Sequence, residues 1–216
     1  MTFKERISQY EVKLHQVEEV VSAIINTILL HRTLPHLDFR GYSVYYNSYL
    51  GTTDVDCTTF DFTYVKINSK RLNENIDQVI QNFANQLSSD HEINSLAKGS
   101  ISLEFLCPKK NSTWSINSET CPWEKWTIVI VISNEESAES LCDRLSKGLM
   151  DIMDDINSSF DSLPSLGSNK TQCESIVDMS FDEVCPYRFN ISYNTNIRNP
   201  PRSSVGFSMR RIFNNV

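Results

Sequence analysis

Three aspartates lie close together, at Asp54, Asp56 and Asp61, and carboxylates at this spacing can bind calcium or transfer protons. A calcium loop of the EF-hand type that began at Asp54 would need glycine at its sixth position and glutamate at its twelfth. The chain has Thr59 and Val65 at these positions. We therefore predict a solvated loop that leads into a strand, with no metal ion.

The histidines and cysteines do not form a catalytic or metal-binding pattern either. The six cysteines include no C-x-x-C pair and no zinc spacing with the four histidines, so we expect reduced thiols. His31 ends an apolar helix, and we expect it to contact the last carbonyls of that helix rather than to act as a base. No phosphate-binding glycine loop, H-E-x-x-H or G-x-S-x-G motif occurs. The sequence therefore predicts no enzyme activity, no metal and no cofactor.

All three tryptophans fall in one short segment, residues 114–126. Trp114-Ser115-Ile116 is surrounded by Asn, Ser and Thr, which predicts a loop tip that presents apolar side chains to a partner. Trp123 and Trp126 precede an apolar, β-branched run, residues 127–132, which is typical of a strand buried on both faces. We therefore expect one tryptophan to be presented and two to be packed.

Composition indicates a folded protein with a sizeable core. The chain has 216 residues, of which 40% are hydrophobic and 22% charged, and it shows no internal repeat or domain break, so we expect one domain over residues 1–216. The first residues are polar, and the longest apolar stretch, residues 20–30, is short and interrupted by polar residues. We therefore expect neither a signal peptide nor a membrane span, and a location in the cytosol or nucleus.

Charge is distributed unevenly along the chain. Residues 184–216 contain five arginines and no Asp, Glu or Lys, so they carry +5, and the net charge of −7 leaves −12 for residues 1–183. Either this basic segment lies over the acidic body, or it binds an acidic partner or membrane surface. The negative total disfavours general nucleic-acid binding.

Apolar periodicity predicts three helices, over residues 16–32, 69–87 and 135–160, the last with a capping box of Ser133 and Glu136. Residues 163–178 contain Pro, Gly and several Ser and Thr, which predicts a long crossing loop. Alternating or aromatic-rich runs predict strands over residues 10–14, 42–49, 60–67, 101–105, 187–193 and 205–213. Because this order does not repeat a βαβ unit, it favours an α+β domain.

Motifs spread over nearly the whole chain closely resemble the autophagy-related protein 101 family. They occur in one order and at the spacings expected of that family. The motifs are Gln16-Val17-Glu18-Glu19, Thr27-Ile28-Leu29-Leu30-His31-Arg32, Thr53-Asp54-Val55-Asp56-Cys57, Asp61-Phe62-Thr63-Tyr64-Val65, Ser102-Leu103-Glu104-Phe105, Lys109-Lys110, Pro122-Trp123-Glu124-Lys125-Trp126-Thr127, Pro186-Tyr187, Ile191-Ser192 and Met209-Arg210-Arg211-Ile212.

The resemblance implies a HORMA domain, in which three helices pack on a mainly antiparallel sheet with a C-terminal safety-belt-like segment. It also implies a non-catalytic scaffold that pairs with the HORMA domain of autophagy-related protein 13, within the kinase complex that initiates autophagosome formation, and stabilises that partner. Such a protein is expected in the cytoplasm, and at the phagophore assembly site when autophagy is induced. The alternative is a HORMA module that clasps a peptide, as the spindle-checkpoint relative does.

The resemblance further implies two binding surfaces. The family recruits downstream factors through an exposed loop, the WF finger, whose usual Trp-Pro-Phe pattern corresponds here to Trp114, Ser115 and Ile116. HORMA dimers commonly use the exposed face of the third helix, and that face is expected to carry Arg144, Lys147 and Asp151.

Overall fold

The fold is known from a computed structural model that describes residues 3–40, 43–46, 49–93, 97–109, 120–135, 137–159, 162–167 and 169–195. Within these ranges the chain forms four α-helices, a short 3-10 helix (Leu14–Gln16) and ten strands, which confirms the α+β class. The helices are α1 (Val17–Leu30), α2 (Lys70–Ile93), α3 (Ala138–Ser158) and α4 (Lys170–Ile176). The strands are β1 (Lys4–Val12), β2 (Thr33–Pro35), β3 (Leu37–Arg40), β4 (Ser43–Tyr46), β5 (Thr52–Asp56), β6 (Thr63–Ile67), β7 (Lys98–Pro108), β8 (Thr120–Ile132), β9 (Val184–Pro186) and β10 (Phe189–Asn194).

The largest sheet has four strands in the order β1-β8-β7-β10. Its two central strands are antiparallel, β10 joins β7 antiparallel, and β1 joins β8 parallel, so the sheet is mainly antiparallel. Three further antiparallel pairs, β2-β9, β3-β4 and β5-β6, lie outside it. The β2-β9 pair connects the end of α1 to the chain that leads into β10.

Helix α1 is the centre of the hydrophobic core. Its apolar residues, except the half-buried Leu30, are fully shielded from solvent, and it packs against α2, α3 and β6. Two polar side chains inside it bond back to the helix, Asn26 to the carbonyl of Ser22 and Thr27 to that of Ala23, both at 2.8 Å. This helix can therefore be buried without leaving those groups unpaired.

Helix α3 follows the predicted period but begins later than predicted. Its N-terminal cap is Ser137, whose hydroxyl accepts from the N–H of Ser140 at 3.1 Å, so the proposed cap at Ser133 is wrong. Its buried leucines and isoleucines face α1 and β1. Gly148 lies where Tyr10 approaches the helix so closely that a Cβ atom would collide with the tyrosine hydroxyl.

Two sequence predictions need correction. The segment predicted as a crossing loop contains a fourth helix, α4, whose cap Asn169 accepts from the N–H of Gln172 at 2.9 Å. Strand β8 begins at Thr120, and from Lys125 onward it alternates between half-buried and buried residues, so it is not buried on both faces. The predicted strand over residues 205–213 lies outside the described part of the chain.

Candidate functional site

The two tryptophans predicted to be packed are indeed buried, with 4% of Trp123 and 5% of Trp126 exposed. Trp114, Ser115 and Ile116, the predicted finger, lie outside the described residues. The pairing of β7 with β8 shifts register between Phe105 and Leu106, so β8 has one extra residue at Trp123. A bulge of this kind re-aims the side chains beside it. As a result, the consecutive residues Trp123 and Glu124 are both buried.

Glu124 meets Arg32 in the core, in a contact that the sequence analysis missed. Arg32, 1% exposed, donates from Nε and Nη2 to the two carboxylate oxygens of Glu124, at 2.7 and 2.9 Å. Nη2 also lies 3.2 Å from the hydroxyl of Ser159, and the guanidinium stands 5.8 Å from the centre of the Trp123 ring. The buried charges are therefore paired and hydrogen-bonded, as low-dielectric surroundings require.

This ion pair connects four parts of the fold. Arg32 follows α1, Glu124 lies in β8, and Ser159 follows α3. The carbonyl of Arg32 accepts from the N–H of Tyr187 at 2.9 Å, which adds the segment between β9 and β10. The core junction is our name for five residues: Arg32, Trp123, Glu124, Ser159 and Tyr187. It positions the C-terminal ends of α1 and α3 relative to the sheet.

The surface predicted to bind the partner is the exposed face of α3, which lies within the described residues. Lys147 and Asp151 are exposed, as predicted, and Met150 between them is 61% exposed. Asp143 and Asp154 extend the same face at helical spacing. We call Asp143, Lys147, Met150, Asp151 and Asp154 the α3 face; it is acidic, with one large apolar side chain near its centre.

Arg144 differs from the other two predicted residues. It is half-buried at the edge of the α3 face, and its Nη2 donates to the carbonyl of Glu11 at 2.8 Å. Because this bond holds α3 on the end of β1, a substitution at Arg144 would change the packing of the domain as well as its surface. Lys147 and Met150 are therefore the better probes of an interface.

Asp151 also lines a cavity of about 180 Å³ between β1, β8, α1 and α3. Trp126 and Tyr10 form part of its wall, and so does the ion pair of Arg6 with Asp155, whose shortest N–O distance is 2.6 Å. This ion pair joins β1 to α3 beside the exposed face. The cavity thus lies directly behind the predicted interface.

The aspartate cluster lies in a different arrangement from the predicted loop. Asp54 and Asp56 belong to β5, and Asp61 lies in the turn before β6. Across the described ranges, no group of three or more His, Cys, Asp or Glu side chains is placed to hold a metal ion. The carboxylate that organises this turn is Glu19 of α1, which accepts from the N–H groups of Thr58 and Thr59 at 2.7 and 3.1 Å and from both threonine hydroxyls.

Glu19 should make stability depend on pH. Burial alone would raise its pKa, but the four hydrogen bonds together lower it below the usual 4.5. A lowered pKa in the folded state means that the stabilisation is present above the unfolded-state pKa and is lost as pH falls through the folded-state value. We expect Glu19→Gln to lose about 1–2 kcal/mol at neutral pH and almost nothing in acid.

Urea unfolding of both proteins at several pH values measures this difference. Glu18→Gln is the matched control, because Glu18 is its exposed neighbour in the same turn of α1. An unfolding free energy that differs between Glu19→Gln and the unmodified chain by the same amount at every pH would contradict the role of this carboxylate.

The sequence also matches a known protein family. The sequence model of the family described as autophagy-related protein 101 matches residues 9–170, about three quarters of the chain. The chain belongs to the autophagy-related protein 101 family. This membership implies a role in autophagy. The matched range includes both residues of the buried ion pair and the whole α3 face.

Relatives of this family cover almost the full length. The autophagy-related protein 101 of Xenopus tropicalis is 31% identical, and that of Homo sapiens 29%, each with 98% of this chain and 97% of the relative aligned. The Arabidopsis thaliana relative is 27% identical over 57% of this chain and 50% of its own length. The similarity to the vertebrate proteins therefore extends through β9 and β10, beyond the range of the family match. Among the helices of the described ranges, none has the length and apolar character needed to span a membrane.

Proposed function

We propose that this chain is a non-catalytic scaffold of the HORMA type, which pairs with the HORMA domain of autophagy-related protein 13 in the complex that initiates autophagosome formation. The observation that supports a pairing surface is the α3 face, where Met150 is 61% exposed between charged residues. An apolar side chain ringed by charge is typical of the centre and rim of a protein interface. The identity of the partner is proposed because this sequence resembles the autophagy-related protein 101 family.

Placing glutamates at Lys147 and Met150 of this face should weaken the complex. We expect the double variant Lys147→Glu, Met150→Glu to bind the partner domain at least about tenfold more weakly, because an anchor and its neighbouring charge are both replaced. The isolated chain should keep its melting temperature, since both side chains are exposed. Isothermal titration with the partner domain, together with thermal unfolding, measures both quantities.

The control is Lys70→Glu, an exposed lysine at the start of α2, which should leave the affinity unchanged. Binding must also raise the melting temperature of the unmodified chain as partner concentration increases. If the double variant bound the partner domain as tightly as the Lys70→Glu control does, the α3 face would not be the pairing surface. Failure of any complex to form would remove the partner itself.

We further propose that the loop with Trp114, Ser115 and Ile116 recruits downstream factors. The supporting argument is the sequence, in which an apolar tripeptide is enclosed by polar residues and corresponds to the family's finger. Trp114→Ala should change the free energy of unfolding by no more than about 0.5 kcal/mol, as expected for a surface residue. Because an aromatic anchor can supply much of a small interface's energy, autophagosome numbers in starved cells should fall.

A second variant makes this test sharper. Ser115→Pro with Ile116→Phe restores the Trp-Pro-Phe pattern of the family, so it should keep or increase recruitment while leaving Trp114 unchanged. A folded Trp114→Ala protein that supports normal autophagosome formation would contradict the proposed finger.

The clasping of a peptide by strand addition is kept as a second candidate because of one feature of the sheet. Strand β10 pairs with β7 on one side, and within the described ranges no strand pairs with its other side. An edge of this kind can accept an added strand. Protection of the β10 amides from hydrogen exchange, only when a peptide is bound, would distinguish this function from pairing through α3.

A further inference from the structure

Two cysteines face each other across the central strands of the sheet. Cys107 of β7 is the direct pairing partner of Cys121 of β8, and their sulfur atoms are 3.8 Å apart. Directly opposed residues of an antiparallel pair have Cα atoms about 4.5–5.5 Å apart, which is within the span of a disulfide. We propose that Cys107 and Cys121 form a redox-sensitive thiol pair, which hydroperoxides oxidise to an intramolecular disulfide.

The position of the pair gives reagents access to it. Both cysteines are half-buried, and they lie beyond the bulge at Trp123, in the last part of the β7-β8 ladder. The neighbouring residues of β8, Thr120 and Pro122, are exposed. A small peroxide can therefore reach the sulfur atoms without unfolding of the core.

The other four cysteines are poorer sites for this chemistry. Burial raises the pKa of the Cys57 thiol to about 12 and also raises the pKa values of Cys142, Cys173 and Cys185. The thiolate is the form that attacks a peroxide or a sulfenic acid, so these four thiols are slow to react near neutral pH. The geometry therefore favours the pair in the sheet, where the two sulfur atoms lie 3.8 Å apart.

The reaction balances with a hydroperoxide as the only oxidant. The thiolate of one cysteine attacks the O–O bond of hydrogen peroxide and becomes a sulfenic acid, and the departing hydroxide takes up a proton to form water. The second thiol gives up its proton and attacks the sulfenic sulfur; the S–S bond forms and the hydroxyl leaves as a second water. Two thiols lose two electrons, and one peroxide is reduced to two waters.

Such a bond would join the two ends of the segment between the cysteines. Residues 108–120, thirteen in number, lie between them in the sequence and include Trp114. In the unfolded chain, a covalent link at this position reduces the number of conformations that the enclosed residues can adopt. The link itself depends only on the β7-β8 pairing and not on the proposed function.

Peptide mapping of the full-length protein tests the proposal directly. The protein is treated with hydrogen peroxide, its remaining thiols are alkylated, and it is digested with trypsin without reduction. Because Lys109 and Lys110 lie between the cysteines, Cys107 and Cys121 end in different peptides, which only a disulfide can join. We expect this joined species to be the main product, and dithiothreitol to separate it again.

Three comparisons make the outcome decisive. Cys107→Ser and Cys121→Ser should each abolish the joined peptides, and oxidation in guanidinium chloride should give mixed pairings because the strand register is lost. Recovery of both cysteines as alkylated thiols would overturn the proposal. Predominant linkage through Cys57, Cys142, Cys173 or Cys185, disulfide-linked dimers, or sulfinic acid at a single cysteine would overturn it equally.

Discussion

Replacing Arg32 with methionine should lower the free energy of unfolding by about 3–5 kcal/mol, the range found when one half of a buried ion pair is removed. Methionine keeps the apolar part of the arginine side chain but leaves the carboxylate of Glu124, only 3% exposed, without its cation. The hydroxyl of Ser159 loses its contact with Nη2 at the same time. The loss therefore comes from an uncompensated buried charge and not from a cavity.

Removing both charges should cost less than removing one. In Arg32→Met with Glu124→Leu, no unpaired charge remains, and buried ion pairs replaced by apolar residues are often neutral in stability. We therefore expect the double variant to be more stable than Arg32→Met alone. Guanidinium unfolding of both single variants and the double variant gives the coupling free energy between the two residues.

Arg6→Met is the matched control. Arg6 makes the same type of bidentate contact with Asp155, but these two side chains are 38% and 42% exposed. Exposed pairs contribute about 1 kcal/mol or less, so this variant should remain close to the unmodified chain. Equal losses for Arg6→Met and Arg32→Met, or strictly additive effects of Arg32→Met and Glu124→Leu, would contradict the role assigned to the core junction.

The sequence predicted the three long helices because each has an unbroken apolar period. In α1 this pattern follows directly from its central position, where nine of its fourteen residues are buried. The helix boundaries were not predicted to the residue, because caps depend on single hydrogen bonds. At α3 the choice between Ser133 and Ser137 is made by the N–H of Ser140, which the hydroxyl of Ser137 reaches.

The four-stranded sheet shows why a continuous apolar run is ambiguous. Ile128 and Ile130 of β8 are buried against the helices, whereas Val129 and Val131 lie half-buried on the other face. On that second face Thr127 hydrogen-bonds Ser102 of the neighbouring strand at 3.0 Å. Both faces favour β-branched residues, so composition alone could not show that only one of them is fully covered.

The core junction could not be predicted from local patterns. Arg32 and Glu124 are 92 residues apart, and their contact depends on the bulge that turns Glu124 inward. One signal was present: Arg32 lies at the end of an apolar helix, and Glu124 lies between two tryptophans, so both are charged residues in apolar surroundings. Charged side chains in such positions are seldom buried without an opposite charge, so each of these two residues indicated a need for an oppositely charged partner.

The α3 face was predicted in part, because helical spacing places Lys147 and Asp151 together. Arg144 satisfies the same spacing, but its side chain bonds to the carbonyl of Glu11 instead of facing solvent. The contribution of Met150 was missed because exposure cannot be read from a single apolar residue in a helix. Short α4 was missed for a related reason, since its seven residues are too few for an apolar period.

Trp123→Ala should be the second strongly destabilising substitution, with a loss of about 3–5 kcal/mol, as expected when a buried tryptophan is truncated. The indole ring lies 5.6 Å from the ring of Phe105 and 5.7 Å from that of Tyr187, measured between centres. It therefore joins β7, β8 and the segment before β10. Alanine would leave a cavity among these rings and remove the aromatic surface beside Arg32.

Trp123→Phe separates the ring from its polar group. Among the described residues the indole N–H of Trp123 has no hydrogen-bond partner, so phenylalanine removes a buried, unpaired donor while keeping most of the aromatic contact. We expect it to retain most of the stability lost in Trp123→Ala. Tyr46→Ala, at a tyrosine that is 71% exposed, is the surface control and should change the unfolding free energy by about 0.5 kcal/mol or less. Equal destabilisation by Phe and Ala in chemical unfolding would contradict the assignment of this loss to aromatic ring packing.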